Sequence, residues 1–147
     1  MPSGFSVVTV DSGRQRVGLT VATLVSLSLE PPLVGFAISR QAALHELLRE
    51  SGRCAVSLLA ADQQEVAEHF ARGVPPIGMW QGVGSHAGVH GAPLLDGALG
   101  WLECRVVDEL LTGTHTFFAC EVVRAEPHRD DRPLVRLGGE YRQGRRS

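Results

Sequence analysis

The stretch that decides the fold is residues 16–40, RVGLTVATLVSLSLEPPLVGFAISR, where small hydroxyl side chains interrupt an apolar run ahead of two prolines. The hydroxyls belong to Thr20, Thr23, Ser26 and Ser28. They offer hydrogen bonds without bulk or charge, which suits contact with a flat polar heterocycle better than it suits a nucleophile site. Proline lacks an amide donor, so Pro31 and Pro32 are expected to end strand pairing. The stretch predicts a binding wall built on strands.

Short apolar or alternating segments bounded by turn-forming residues recur along the whole chain. They lie at Ser6–Val10, Arg16–Leu29, Leu33–Ser39, Cys54–Ala60, Gly97–Leu110, His115–Pro127 and Pro133–Leu137. Segments of this length and pattern indicate strands, and strands that close into a barrel leave no unpaired edge. The sequence therefore predicts a mainly β protein.

Three segments depart from the strand pattern. Leucines at helical spacing predict a helix over Gln41–Glu50, and Val66, Ala67 and Phe70 predict a second one over Asp62–Arg72. Residues 73–93 are rich in Gly and Pro and are too long for an ordinary connection. We expect this loop to cover a ligand site or to reach across a dimer.

Composition limits the class of protein. The 147 residues are 44% hydrophobic and 20% charged, which fits one globular domain over 1–147. A net charge of −2 gives no reason to expect nucleic-acid or membrane binding. The cysteines at 54, 104 and 120 lie in apolar runs and are expected to be reduced core residues. With no leader or long apolar run, a cytoplasmic location is expected.

Residues 16–40 and a series of later segments resemble, in order, the flavin reductase-like family of FMN-binding split barrels. The later segments are Asp62-Gln63, Phe70, Pro93-Leu94, Trp101-Leu102-Glu103-Cys104, Gly113-Thr114-His115, Pro133-Leu134 and Tyr141-Arg142. The resemblance implies a mainly β, Greek-key split β-barrel with short flanking helices, covering nearly the whole chain.

The resemblance also implies an activity and partners. It implies an NAD(P)H-dependent flavin reductase that takes FMN, or possibly FAD, with NADH or NADPH as co-substrate. Such a protein supplies reduced flavin to a separate flavin-dependent monooxygenase and forms a homodimer, in which the apolar Leu99, Trp101 and Val106 are candidates for shared burial. Two alternatives remain open: a flavin-binding or storage protein without dinucleotide turnover, and a partner domain that has lost flavin.

By the same resemblance, the flavin site includes the residues of the binding wall. Thr20 and Thr23, with main-chain groups of Val21 and Ala22, are implied to line the isoalloxazine edge, and Ser26 and Ser28 to lie deeper or near the ribityl chain. The alternative for these hydroxyls is that they bond only to neighbouring strands.

Other implied site residues follow the wall along the chain. Ser39 and Arg40 precede a helix start, where amide donors and a guanidinium suit a phosphate; the alternative for Arg40 is a solvated surface side chain. Phe70 is either a core anchor or a face that meets flavin or nicotinamide. Tyr141 either reaches phosphate or ribose or lies on the surface.

His115 is the candidate catalytic residue. It matches the histidine of the family's Gly-Asp-His turn, which approaches the nicotinamide side of the flavin, although Thr114 replaces the aspartate here. An imidazole at this place can orient the dinucleotide or stabilise charge, against a purely structural role. Ala42 and Ala43 also stand where many relatives have Ser or Thr. These departures motivate the storage alternative.

Two motifs carry no prediction of function. Residues 82–87 spell GxGxxA, but the fingerprint requires a strand–helix context that this loop lacks. His86 and His90 stand four apart, yet neighbouring glycines argue against a helix and no third ligand is near, so no metal site is expected.

Overall fold

The computed structural model describes residues 4–71, 78–137 and 140–143, with side chains as far as Leu134. The described residues form eleven strands and two helices. The elements are β1 (Ser6–Asp11), β2 (Arg16–Val21), β3 (Val25–Leu29), β4 (Pro32–Ser39), α1 (Ala43–Ser51), β5 (Arg53–Leu58), α2 (Gln64–Ala71), β6 (Ser85–Ala87), β7 (Pro93–Leu95), β8 (Gly100–Thr112), β9 (His115–Pro127), β10 (Leu134–Leu137) and β11 (Glu140–Gln143).

Seven strands form one antiparallel sheet in the order β2-β1-β5-β8-β9-β4-β3, with β2 and β3 at its two edges. In a flat sheet the edge strands β2 and β3 would lie about 29 Å apart, at roughly 4.8 Å for each spacing. The chain from Val21 to Val25 spans at most about 14 Å. The two edges must therefore lie close together, and the predicted mainly β split barrel is confirmed.

The strand-like run Arg16–Leu29 contains two strands. The chain leaves β2 after Val21 and begins β3 at Val25, at the opposite edge of the sheet. The prolines also act differently from the prediction, because Leu29 still pairs with Pro32 and the turn between β3 and β4 lies at Glu30 and Pro31. Proline is tolerated there because Pro32 is the first residue of its strand.

Both predicted helices are present and bury their apolar sides against the barrel. Leu44 and Leu48 of α1 and Ala67 and Phe70 of α2 are buried in one core with side chains of the sheet. The helix α1 begins two residues later than predicted, because the amide of Ala42 donates to the carbonyl of Ser39 and makes a turn first.

The cysteines are free and buried, as predicted. The side chains of Cys104 and then Cys120 contact Cys54, and together with burial they raise the pKa of the Cys54 thiol well above its usual value. A thiol held in this way stays protonated and unreactive at neutral pH. These residues fill core space between β5, β8 and β9.

The described part of the loop after α2 folds back on its own barrel. Met79 is buried, and the indole Nε1 of Trp80 donates to the carbonyl of Arg16 at 2.7 Å. No described residue of this loop lines the cleft described below. The loop is therefore not seen as a cover over that cleft. No helix within the described ranges is long and apolar enough to span a membrane.

The expectation that Leu99, Trp101 and Val106 form a shared dimer face is not supported. Trp101 is buried within the subunit, where its Nε1 donates to the carbonyl of Leu95 at 2.8 Å. Val106 packs against the main core, and Leu99 is only partly exposed. Trp101 and Val106 therefore pack within the subunit, in two separate clusters.

Candidate functional site

A cleft lies where the end of β4 meets the turn between β8 and β9. Ser39 pairs with His115, and the amide of Arg40 donates to the carbonyl of Thr114 at 2.9 Å. These bonds join residues about 75 positions apart in the chain. The cleft has a volume of about 490 Å³ and is lined by Ser39, Arg40, Gln41, His45, Glu46, Gly113, Thr114 and His115.

Three of the predicted site residues, Ser39, Arg40 and His115, meet in this cleft. The imidazole of His115 is exposed, and its Nδ1 lies 2.9 Å from the hydroxyl of Thr114. Within the described ranges, Nε2 of His115 has no hydrogen-bond partner. The ring is thus oriented through one nitrogen and leaves the other for a ligand.

The other wall of the cleft offers donors for an anion. The helix α1 has Ala42 at its N-cap and no side-chain cap, so the first-turn amides are not satisfied by a side chain. The guanidinium of Arg40 is exposed and has no partner among the residues that the structure describes. The hydroxyl of Ser39 accepts from the amide of Gln41 at 3.3 Å. This end of the cleft suits a phosphate.

The predicted binding wall lies outside the cleft lining, and two of its hydroxyls form hydrogen bonds within the protein. Thr20 donates to the carbonyl of Ala67 at 2.7 Å, and the hydroxyl of Thr23 accepts from the amide of Ala37 at 3.0 Å. The side chain of Val21 is buried, whereas Ala22 and Thr23 are exposed. Among Thr20, Val21, Ala22 and Thr23, the exposed side chains beside β4 are those of Ala22 and Thr23.

Ser26 and Ser28 lie on the edge strand β3, the first exposed and the second partly buried. Neither lines the cleft. Their backbones pair with Val34 and Leu33 in β4.

Phe70 is a core residue in this structure, which corrects its place among the candidate flavin contacts. Its side chain is 1% exposed and packs at 5.3 Å from the ring of Trp80, over Gly18. A buried ring has no face to offer a ligand. Tyr141 lies opposite Arg136 in the β10–β11 hairpin, and its side chain falls outside the described part.

Sequence reasoning missed two residues that line the cleft, His45 and Glu46 on the first turn of α1. His45 is only 4% exposed; its Nδ1 lies 2.9 Å from Oε1 of Glu46, and its Nε2 lies 2.7 Å from the hydroxyl of Thr116. The signal available in the sequence was a polar pair just after an exposed helix start. Nothing local indicates that Thr116, in β9, is its partner.

The sequence carried no prediction of function for His86 and His90. His86 pairs with Asp96 at 2.9 Å on the surface. In the part of the chain that the structure describes, no group of three or more His, Cys, Asp or Glu side chains is placed to hold a metal ion.

Comparison with known proteins agrees with the resemblance over nearly the full length. A family model described as flavin reductase like domain matches residues 1–145. The chain is 35% identical to the NADH-dependent FAD reductase of Streptomyces globisporus, over 97% of this chain and 79% of that protein. It is 36% identical to the reductase component of 4-hydroxyphenylacetate 3-monooxygenase from Thermus thermophilus, over 96% of this chain and 88% of that protein.

Solved structures share this fold over nearly the whole chain. The solved structure of the NADH:FAD oxidoreductase of Streptomyces globisporus aligns with a TM-score of 0.92 at 35% identity, covering 99% of this chain and 88% of that one. The flavin reductase component of a bacterial two-component tryptophan halogenase aligns with a TM-score of 0.91 at 36% identity, covering 100% and 93%. This chain therefore belongs to the flavin reductase-like domain family.

Proposed function

We infer that this chain is an NAD(P)H:flavin oxidoreductase that reduces FMN or FAD and supplies the reduced flavin to a partner monooxygenase. The observation that carries the inference is the cleft that joins Arg40 to His115 in a chain matching flavin reductases along its whole length. Relatives of this kind are reductase components of two-component monooxygenases.

The reaction is a hydride transfer between nicotinamide and flavin, and the two ring systems supply the reactivity. The protein must hold them face to face and exclude competing contacts. We assign the phosphate end to Arg40 and Ser39, and the ring wall to the exposed Ala22–Thr23 segment with the main chain of Val21. His115 lies where it can hydrogen-bond the nicotinamide or stabilise negative charge on the reduced ring.

The test of the activity is anaerobic mixing of the flavin-loaded protein with NADH and, separately, with NADPH. Loss of the yellow flavin absorbance over many turnovers is the expected result. A protein that binds FMN but never bleaches would support the storage alternative. A protein that leaves the fluorescence of added FMN and FAD unquenched would instead support the loss of flavin binding.

Arg40→Ala is expected to weaken FMN binding more than riboflavin binding. A charge-assisted bond to phosphate is lost, at a cost of about 1.5 kcal/mol, or roughly tenfold in Kd, because the guanidinium is exposed. Fluorescence titration with both ligands measures the difference. Arg14→Ala, which removes an exposed arginine in the β1–β2 turn, is the control. Equal weakening of both ligands in Arg40→Ala would contradict the phosphate assignment.

We further propose that a row of apolar side chains on the outer barrel face joins two copies of the chain. Leu27 and Phe117 both lie over Gly35, and Phe117 pairs with Leu110 across β8 and β9. Leu27 is 46% exposed and Leu110 is 63% exposed. Directly paired residues share a face, so the row is continuous across four strands. Exposed apolar area of this kind marks an interface.

The double variant Leu27→Asp/Leu110→Asp is therefore expected to be monomeric where the unaltered chain is dimeric. Sedimentation velocity at micromolar concentration measures the change. Val89→Asp, which places the same charge on an exposed loop valine outside the row, should leave the dimer intact. An unaltered chain that sediments as a monomer would remove the proposal.

A further inference from the structure

We propose that Glu46 selects the nucleotide, accepting hydrogen bonds from the ribose hydroxyls of a dinucleotide and disfavouring a phosphate at the same place. The proposal rests on the proposed function, because it assumes that the cleft takes a nucleotide. The ribose is the adenosine ribose of either NADH or FAD. Both present the same hydroxyl pair, and the experiment below distinguishes them.

Glu46 is placed in the cleft by a buried anchor. Its carboxylate is 63% exposed, yet Oε1 is held by Nδ1 of His45 at 2.9 Å and lies 3.6 Å from a guanidinium nitrogen of Arg49. A carboxylate only accepts, so Nδ1 of His45 carries the proton. The other nitrogen of His45 is fixed by the hydroxyl of Thr116 at 2.7 Å. The anchor thus reaches from α1 to β9.

One oxygen of this carboxylate is left for a ligand. Both contacts of Glu46 involve Oε1, and within the described ranges Oε2 has no partner. Because a carboxylate accepts but cannot donate, it favours a hydrogen-bond donor, and the donors that a dinucleotide's ribose offers are its hydroxyls. A phosphate brings only acceptors and negative charge, and the two would repel each other.

The charged side chains of the cleft match successive parts of a nucleotide. Among the described residues that line the cleft, Glu46 is the only carboxylate and Arg40 is the only permanent cation. FAD carries its pyrophosphate and then the adenosine ribose in sequence, so a flavin phosphate at Arg40 leaves that ribose to reach Glu46. NADH would instead enter the same cleft from His115, where the nicotinamide is assigned. Acidic residues select unphosphorylated ribose in other dinucleotide sites by the same chemistry.

The test compares Glu46→Gln with Glu50→Gln, an exposed glutamate one turn later on α1 that does not line the cleft. Glutamine keeps the shape and can still accept from His45. We measure KM for NADH and NADPH at saturating flavin, and Kd for FAD and FMN. The expected result is a change of about 3–10-fold in one of the two ratios, NADH to NADPH or FAD to FMN, in Glu46→Gln alone.

The ratio that changes identifies the ribose. A fall in KM for NADPH with a smaller rise for NADH assigns it to the nicotinamide dinucleotide. A rise in Kd for FAD with FMN unchanged assigns it to the flavin. If neither ratio in Glu46→Gln differs from that in Glu50→Gln, the proposal is overturned. The anaerobic bleaching of the unaltered chain tests the reductase activity separately, so the two failures are distinguishable.

Discussion

His115→Ala is expected to lower kcat/KM for flavin reduction by NADH about 100-fold, which is the loss typical of one preorganised donor at a reacting group. His115 lines the cleft, and its ring is oriented by the hydroxyl of Thr114 at 2.9 Å. Its Nε2 has no partner within the described ranges, so a ligand can use it. The loss should appear both as a lower kcat and as a higher nicotinamide KM, because the same ring orients the dinucleotide and stabilises charge.

His90→Ala is the matched control. His90 is exposed on the loop before β7, and its side chain does not line the cleft. The control should keep the unaltered rate, and both variants should keep the far-UV circular dichroism of the parent, since neither imidazole is buried. An unchanged kcat and KM in His115→Ala would return His115 to a structural role. A fall in flavin affinity alone would show that His115 binds flavin and takes no part in the catalytic step.

Much of the strand pattern could be predicted because apolar runs and alternation are local properties of the chain. The β4 and β5 segments are short apolar runs, β9 alternates in burial from His115 to Cys120, and the predicted bounds agree with the structure within a few residues. The break between β2 and β3 carries no such signal. Ala22, Thr23 and Leu24 contain neither Gly nor Pro, and they are apolar enough to continue a strand. The two strands lie at opposite edges of the sheet, and that arrangement depends on pairings far apart in the sequence.

The site residues also divide into those that the sequence could predict and those that it could not. Ser39, Arg40 and His115 could be predicted because family motifs mark them, and the pairing of β4 with β9 brings them into one cleft. Phe70 could not be assigned, because the same amphipathic helix allows a buried or a ligand-facing ring until Gly18 and Trp80 cover it. His45 acquires its role only through a hydroxyl on a strand 71 positions away. Tertiary contacts decide such residues, and no local pattern encodes them.

Glu103 on β8 is a buried carboxylate that stabilises the loop beside it. The residue is 1% exposed; Oε1 accepts from the amide of His90 at 2.8 Å, and Oε2 accepts from Arg124 at 3.2 Å. The hydrogen bond from Arg124 to Glu103 raises the pKa of the Arg124 guanidinium. Gly88 is required next to it, because a Cβ at that position would lie 2.2 Å from Oε1 of Glu103. Loop and strand therefore depend on one carboxylate.

Glu103→Ala is expected to lower the free energy of unfolding by about 3 kcal/mol, because it leaves a cavity and an amide without its acceptor. Gly88→Ala should cost about 2 kcal/mol by displacing the pinned carboxylate. In the double variant the clash has no partner, so the two costs should fall short of additivity by about 1 kcal/mol or more.

Urea unfolding at one fixed protein concentration measures all three variants, since any dimer contributes to apparent stability. Gly78→Ala, where the added Cβ meets nothing within 4 Å, is the control for the glycine change itself. Full additivity would show that Gly88 is needed for its backbone alone, and that the carboxylate does not hold the loop in place.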